Sequence, residues 1–135
     1  MDMTAVFQGL ADNAATTGLR CFAEVPDAIS PPAFLVVDAE ILFNQSFGGM
    51  EELNPVTCRL LVSAATDKQG QQKVKDYLKG SGPLSVKAAL EADRTLGGAC
   101  DDCHVMRASG PAMYEHAGQH YWGCELAVHV IGSGT

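Results

Sequence analysis

Apolar residues recur at helical spacing in three segments of the chain. The first segment is 3–16, where apolar side chains return every three or four residues and Asp2 can act as N-cap. A second helix is predicted over 66–79 and a third over 84–92. The Gly-Ser-Gly-Pro segment at 80–83 separates these two helices, because glycine and proline interrupt helical structure.

The other apolar segments show the alternation, or the short continuous runs, that are typical of strands. Ala117-Gly118 is predicted to form the turn of a closing hairpin, and 132–135 a frayed C-terminus. The order of the elements predicts an α+β fold, a mostly antiparallel or mixed β-sheet with the helices packed on one face, in a single domain over 1–135. The predicted strands cover 19–23, 33–38, 57–65, 103–109, 111–116 and 119–131.

Residues 44–55 are predicted to form a flexible loop or a hairpin tip. They combine a glycine pair, two adjacent acids and an Asn-Pro step. Two phenylalanines accompany this segment, and exposed aromatic side chains at a loop tip can anchor a partner; a small satellite hydrophobic cluster is the alternative. The residues predicted to contact a partner are Phe43, Phe47, Met50, Glu51 and Glu52.

The charge balance narrows the classes of function. Sixteen acidic residues against nine basic ones give a formal net charge of -7, which disfavours high-affinity nucleic-acid binding because affinity for phosphate depends on Lys and Arg. No apolar run approaches the roughly 20 residues that span a bilayer. The first residues lack a basic segment followed by an apolar one, so no export signal is expected. Five cysteines in such a chain are expected to be reduced and packed as small apolar side chains.

The most specific chemical motif is the Cys-x-x-Cys-His sequence formed by Cys100, Cys103 and His104. This spacing is the attachment pattern of c-type haem, in which two thiols bond to the haem vinyl groups and the histidine ligates iron. Met106 or Met113 could supply the second axial ligand. Because the motif begins a predicted strand and haem attachment normally follows export, haem binding is kept only as a remote alternative.

Zinc binding is the second reading of the same motif. A structural zinc site needs four thiolate or imidazole ligands, commonly in two pairs, and only one pair here has suitable spacing. Asp101 and Asp102 between the thiols exclude a thioredoxin-like redox site, because their charges raise the thiol pKa. No hydrolase or phosphate-binding motif is present, so neither an enzyme activity nor a cofactor is predicted. Candidate zinc ligands are Cys100, Cys103, His104, His116, His120 and Cys124.

Several short segments occur in a characteristic order along the chain. They are Leu10-Ala11-Asp12, Thr17-Gly18-Leu19-Arg20, Glu24-Val25-Pro26-Asp27, Pro31-Pro32-Ala33, the segment from Gly82-Pro83-Leu84 to Ala92-Asp93, Leu96-Gly97-Gly98 and Tyr121-Trp122-Gly123. In this order they resemble the tail terminator proteins of long-tailed, non-contractile phages of actinobacteria. The resemblance covers nearly the whole chain and rests on structural rather than chemical motifs. Cysteine is not typical of that family at the position of Cys103, so the resemblance implies that Cys-x-x-Cys-His is incidental.

The resemblance implies a virion structural protein rather than an enzyme. Tail terminators assemble as a homohexameric ring on the last ring of the tail tube protein, stop tube polymerisation and present a docking surface to the head-tail connector. They act at the tail-neck junction of the virion, are assembled in the cytoplasm of the host bacterium, and let double-stranded DNA pass through the lumen. Under this reading Asp101 and Asp102, with Glu51 and Glu52, are expected at the lumen or rim, where they keep the ring non-adhesive to DNA. Another neck component, such as a connector or completion protein, is the closest alternative, and a host-directed binding module with the same fold is a further one.

Overall fold

The computed structural model describes residues 1–43, 49–63 and 66–133. Two longer helices and a short one accompany six strands, in the predicted order of helix, strands, two helices and closing hairpin. A single 3₁₀ turn, Ala15–Thr17, continues the first helix. The elements are α1 (Met3–Ala14), β1 (Arg20–Phe22), β2 (Ala33–Phe43), β3 (Met50–Val62), α2 (Asp67–Tyr77), α3 (Val86–Leu90), β4 (Asp102–Ala108), β5 (Ala112–His116) and β6 (Gln119–Ser133).

The six strands form one sheet in the order β1-β2-β3-β6-β4, and β5 pairs with the first part of β6. β1 pairs with β2 in parallel, and every other pairing in this sheet is antiparallel. The α+β prediction is therefore confirmed. Because β4 and β5 pair with different parts of the long strand β6, the sheet has β1 at one edge and these two strands at the other.

The main core lies between the helices and one face of the sheet. Each helix contributes fully buried side chains, among them Leu10, Val74 and Leu90, and the sheet contributes residues such as Phe34 and Leu60. Removing so much apolar surface from water is the main stabilising contribution in a domain of this size. A smaller cluster on the other face of the sheet is centred on Ala33, Leu35 and Leu61, with Phe22, Ile29, Val37, Tyr114 and Tyr121 packed around it.

The prediction of a loop over 44–55 is wrong for residues 50–55. Met50–Pro55 belong to β3, where they lie between β2 and β6 in the middle of the sheet. The Asn-Pro step is accommodated because the register shifts between Leu53 and Val56 on both sides, and a bulge is where a central strand tolerates proline. Phe47 lies outside the described residues.

Two further boundaries differ from the prediction. β2 continues beyond the predicted 33–38 to Phe43, because it pairs with β3 along its whole length. The frayed C-terminus predicted over 132–135 is wrong for its first two residues, since Gly132 pairs with Glu51 and Ser133 pairs with Met50. The last two positions lie outside the described residues. Strand pairing with β3 is what holds this end in place, and local sequence does not show it.

The outer edge of β4 is occupied by side chains. The carboxylate of Glu91 accepts a hydrogen bond from the Val105 N–H at 2.9 Å, and Arg94 Nε donates to the Cys103 carbonyl at 3.2 Å. Lys87 Nζ lies 2.6 Å from the same Glu91 carboxylate. Exposed strand edges can pair with other chains, and polar side chains placed on them prevent it.

Burial of Glu91 favours a higher carboxyl pKa, but hydrogen bonds from Lys87 and the Val105 N–H, with the charges of Lys87 and Arg94, outweigh it and lower the pKa. The folded state therefore favours the ionised carboxylate, and this stabilisation is lost as pH falls through the folded pKa. We expect Glu91→Gln to lower the free energy of unfolding by about 1 kcal/mol at neutral pH, and the difference from wild type to vanish in acid. Urea unfolding at several pH values measures this, with Glu115→Gln on the exposed side of β5 as control. A difference independent of pH would contradict it.

Among the helices described, none combines the length and the apolar character that crossing a membrane requires.

Candidate functional site

Four acidic residues that are far apart in the sequence meet at one end of the sheet. Glu52 of β3 and Asp102 of β4 both pair with Ile131 of β6, so their side chains lie on the same face, two strand spacings or about 10 Å apart. The N–H of the neighbouring Asp101 donates to the Ile131 carbonyl at 2.8 Å, and Glu51 pairs with the next residue of β6. We call these four acids, Glu51, Glu52, Asp101 and Asp102, the acidic end.

The four carboxylates differ in how far their charge is compensated. Glu51 is paired with the N-terminal amine at 2.9 Å, and both groups are largely buried. Asp102 binds the Arg94 guanidinium through two hydrogen bonds of 2.8 and 3.1 Å. Glu52 Oε2 lies 3.4 Å from His129 Nε2, and Asp101 is exposed. Asp101 and Glu52 therefore supply most of the negative potential that this end presents to solvent.

Two histidines stand beside the acidic end on the open face of the sheet, the face away from the helices. The rings of His104 and His129 meet edge to face with centroids 5.2 Å apart. His129 Nε2 is buried, and its approach to Glu52 does not have hydrogen-bond geometry. In the part of the chain that the structure describes, no three His, Cys, Asp or Glu side chains are grouped to hold a metal ion.

The Cys-x-x-Cys-His motif does not assemble into a ligand set. Cys103 pairs with Val130 and is fully buried in the main core, whereas His104 pairs with His129 on the opposite face, because successive side chains of a strand alternate. Burial, aided by Asp101 and Asp102, raises the pKa of Cys100 to about 11; burial, aided by Cys100, raises that of Cys103 to about 12. Both thiols are therefore protonated at neutral pH, and the remote haem and zinc readings are not supported by this geometry.

We expect the thiols of the native protein to react slowly with a disulfide reagent at neutral pH, and all five to react at once after unfolding in guanidinium. Cys58, Cys100, Cys103 and Cys124 are buried, and even half-buried Cys21 has a pKa raised to about 11 by burial and by the charge of Asp12. Spectrophotometric thiol titration measures this. Rapid reaction of two thiols in the native state would contradict this expectation. Bound zinc or a haem spectrum in the purified protein would show that the Cys-x-x-Cys-His motif binds a metal or haem after all.

Charge is distributed unevenly along the chain and through the fold. Residues 1–57 contain eight acidic residues and one basic residue, and so account for the whole net charge of -7, whereas 58–135 contain eight of each. Four lysines and two aspartates lie in 67–79, so α2 and the two residues after it carry a net charge of +2. Lys68, Lys75 and Lys79 fall with Gln72 on the exposed side of α2, opposite the buried Gly70 and Val74, and Lys79 lies 3.8 Å from the Asp76 carboxylate.

The basic helix α2 lies at the other end of the strands from the acidic end. It follows the last residues of β3 and packs on the start of β6, where Gly70 lies against Trp122 and the Trp122 indole N–H donates to Asp67 at 3.1 Å. Glu52 and Val62 are ten positions apart along β3, which corresponds to roughly 30 Å of strand. The subunit is therefore electrically polar along its strands.

Sequence reasoning named the four acids but missed the groups that neutralise two of them. Arg94 lies eight residues before Asp102, and the N-terminal amine lies 50 residues before Glu51. No local sequence pattern therefore indicates either ion pair. The sequence had also suggested Phe43 as a partner contact. It ends β2, is paired with Glu51, and is 60% exposed, so the structure brings it to the acidic end.

Comparison of the chain with models of known protein families and with curated proteins finds no match.

Proposed function

We propose that this chain is a tail terminator of a long-tailed, non-contractile phage. Its subunits form a homohexameric ring on the last ring of the tail tube protein, stop polymerisation of the tube, and present a docking surface to the head-tail connector. The ring belongs to the tail-neck junction of the virion, and double-stranded DNA passes through its lumen. The sequence resemblance suggests this function, and the charge distribution of the fold supports it.

The observation that carries the proposal is the electrical polarity of the subunit. A subunit with charge of opposite sign at its two ends can turn the acidic end toward the lumen of a ring and the basic end away from it. Here the acidic end and the lysines of α2 lie at opposite ends of the same strands. Six copies would carry about -42 in formal charge, so an arrangement that turns the acids toward a common opening also keeps phosphate from adhering to it.

The acidic end is proposed as the part of the ring that faces DNA at the lumen or rim. Glu52 and Asp101 are the least compensated of its four acids, as described above. The β2–β3 hairpin ends at the same place, because Phe43 pairs with Glu51 in the last pair between these strands. Exposed Phe43 and half-buried Met50 therefore lie beside the acids, where a tube or connector subunit could cover them.

Electron microscopy of particles assembled without this protein tests the proposal. Overlong tails without heads are expected, because the tube has lost its stop signal. Tails of normal length beside filled, unjoined heads would instead identify a connector or completion protein. Intact, infectious virions would contradict both readings.

A further inference from the structure

A groove opens where β1 leaves the sheet. β1 pairs with only the first three residues of β2, and the chain after Phe22 then diverges from β2. Between this diverging segment, α1 and β2 lies a space of about 820 Å³, which we call the β1–β2 groove. Among its described lining residues Glu24 is the one charged side chain. The lining is mixed: Thr4 and Gln8 are polar as well. The main apolar residues lining it are Met3, Phe7, Phe22, Val25, Val36 and Val37.

A second, smaller hollow lies at the opposite edge of the sheet. Its volume is about 220 Å³, and it is formed by the end of α2, by α3 and by the second half of β4; we call it the β4 hollow. Its described lining is apolar except for Lys87 and Arg107. Lys87 is already paired with Glu91 at 2.6 Å, so the exposed Arg107 supplies the charge that is available to a partner.

We propose that the β1–β2 groove of one copy receives the β4 hollow surface of the next copy. The occupant is a second copy of this chain because the two surfaces are complementary in charge: one is a partly apolar surface with a carboxylate, and the other is a mainly apolar surface with a guanidinium. The two surfaces lie at opposite edges of the sheet, so the contact is head to tail and can repeat around a closed ring.

The exposed apolar side chains support the same pairing. Val25 in the groove is 49% exposed and Met106 in the hollow is 51% exposed, two of the five large apolar residues that the described chain leaves most open to solvent. Side chains rather than strand pairing make the contact, because Glu91 and Arg94 already occupy the edge of β4 at Val105 and Cys103. This inference rests on the proposed ring.

Charge reversal tests which surfaces meet. Glu24→Lys and Arg107→Glu each place like charges across the contact, and each is expected to weaken self-association at least about tenfold in analytical ultracentrifugation. The double variant has the two charges exchanged, so it is expected to regain most of the self-association that each single variant loses. Both positions are exposed, so the fold is expected to be retained, and thermal unfolding checks this. Full additivity of the two losses would overturn the pairing.

A matched pair of methionines supplies the control. Met106→Glu puts an acid into the β4 hollow and is expected to weaken self-association at least about tenfold, whereas Met113→Glu on β5, which is 50% exposed outside both surfaces, is expected to leave it unchanged. Equal effects, or a monomeric wild-type protein, would overturn the proposed contact. If a ring forms and none of these variants weakens self-association, the proposed contact is wrong, but the proposed terminator function is not affected. Normal tail length in particles lacking the protein would contradict the proposed function. The proposed contact is tested separately, by the self-association of the variants.

Discussion

Gly123→Ala is expected to lower the free energy of unfolding by at least about 3 kcal/mol. Gly123 lies in β6 between Leu61 of β3 and Ala112 of β5, so strands flank it on both sides. A Cβ added here would overlap the Leu60 carbonyl oxygen and would come within 3.0 Å of Leu61 Cδ2. A backbone carbonyl held in a ladder cannot turn aside as a flexible side chain can, so the two central strands must separate locally.

Urea unfolding of the variant measures this loss, and Gly110→Ala is the matched control. A Cβ added at Gly110 has no neighbouring atom within 4 Å, and its backbone does not require the left-handed region. The control is therefore expected to stay within about 0.5 kcal/mol of wild type. Equal stabilities for the two variants would show that β3 and β6 are not in this register.

The combined variant Glu52→Lys/Asp101→Lys is expected to slow release of DNA from the virion at least about tenfold at low salt. The two substitutions change the charge of each subunit by four units, so the proposed six-membered ring would gain about 24 positive units near the DNA that is proposed to pass through it. Lysines at the acidic end would bind successive phosphates, and each bound phosphate must be released before the DNA can advance. Salt screens such contacts, so the delay is expected to shrink as ionic strength rises.

Fluorescence of a DNA-binding dye after triggered ejection measures the rate. The matched control is Asp12→Lys/Glu115→Lys, which makes the same change of charge at exposed positions on α1 and β5, away from the acidic end. It is expected to leave the rate unchanged. If both double variants slow release equally, the effect belongs to net charge alone and the position assigned to the acidic end is wrong.

Local patterns predicted most of the elements because each has its own periodicity or cap. Asp2 caps α1 through the Thr4 N–H and Thr66 caps α2 through the Gln69 N–H, as such residues do at helix starts. Met50–Pro55 show why the remaining assignments failed. Their adjacent acids and the Asn-Pro step are typical of a loop, yet β2 and β6 on either side hold them in a strand. Strand preference depends on neighbours more than on the residues themselves.

The candidate site could be predicted only in part. The four acids were recognisable as two adjacent pairs, but their meeting depends on the register that sets Glu52 and Asp102 against Ile131, which no local pattern specifies. Cys-x-x-Cys-His does not form a ligand set because side chains alternate along β4, which places Cys103 and His104 on opposite faces of the sheet. The β1–β2 groove depends on where β1 parts from β2, so its lining residues carry no shared signal in the sequence.

The length distribution of tails assembled without this protein tests the terminator proposal most directly. We expect tails that are overlong, variable in length and headless, and a return to a single normal length when wild-type protein is supplied during assembly. A single normal tail length in the complete absence of the protein would show that this chain is not a tail terminator.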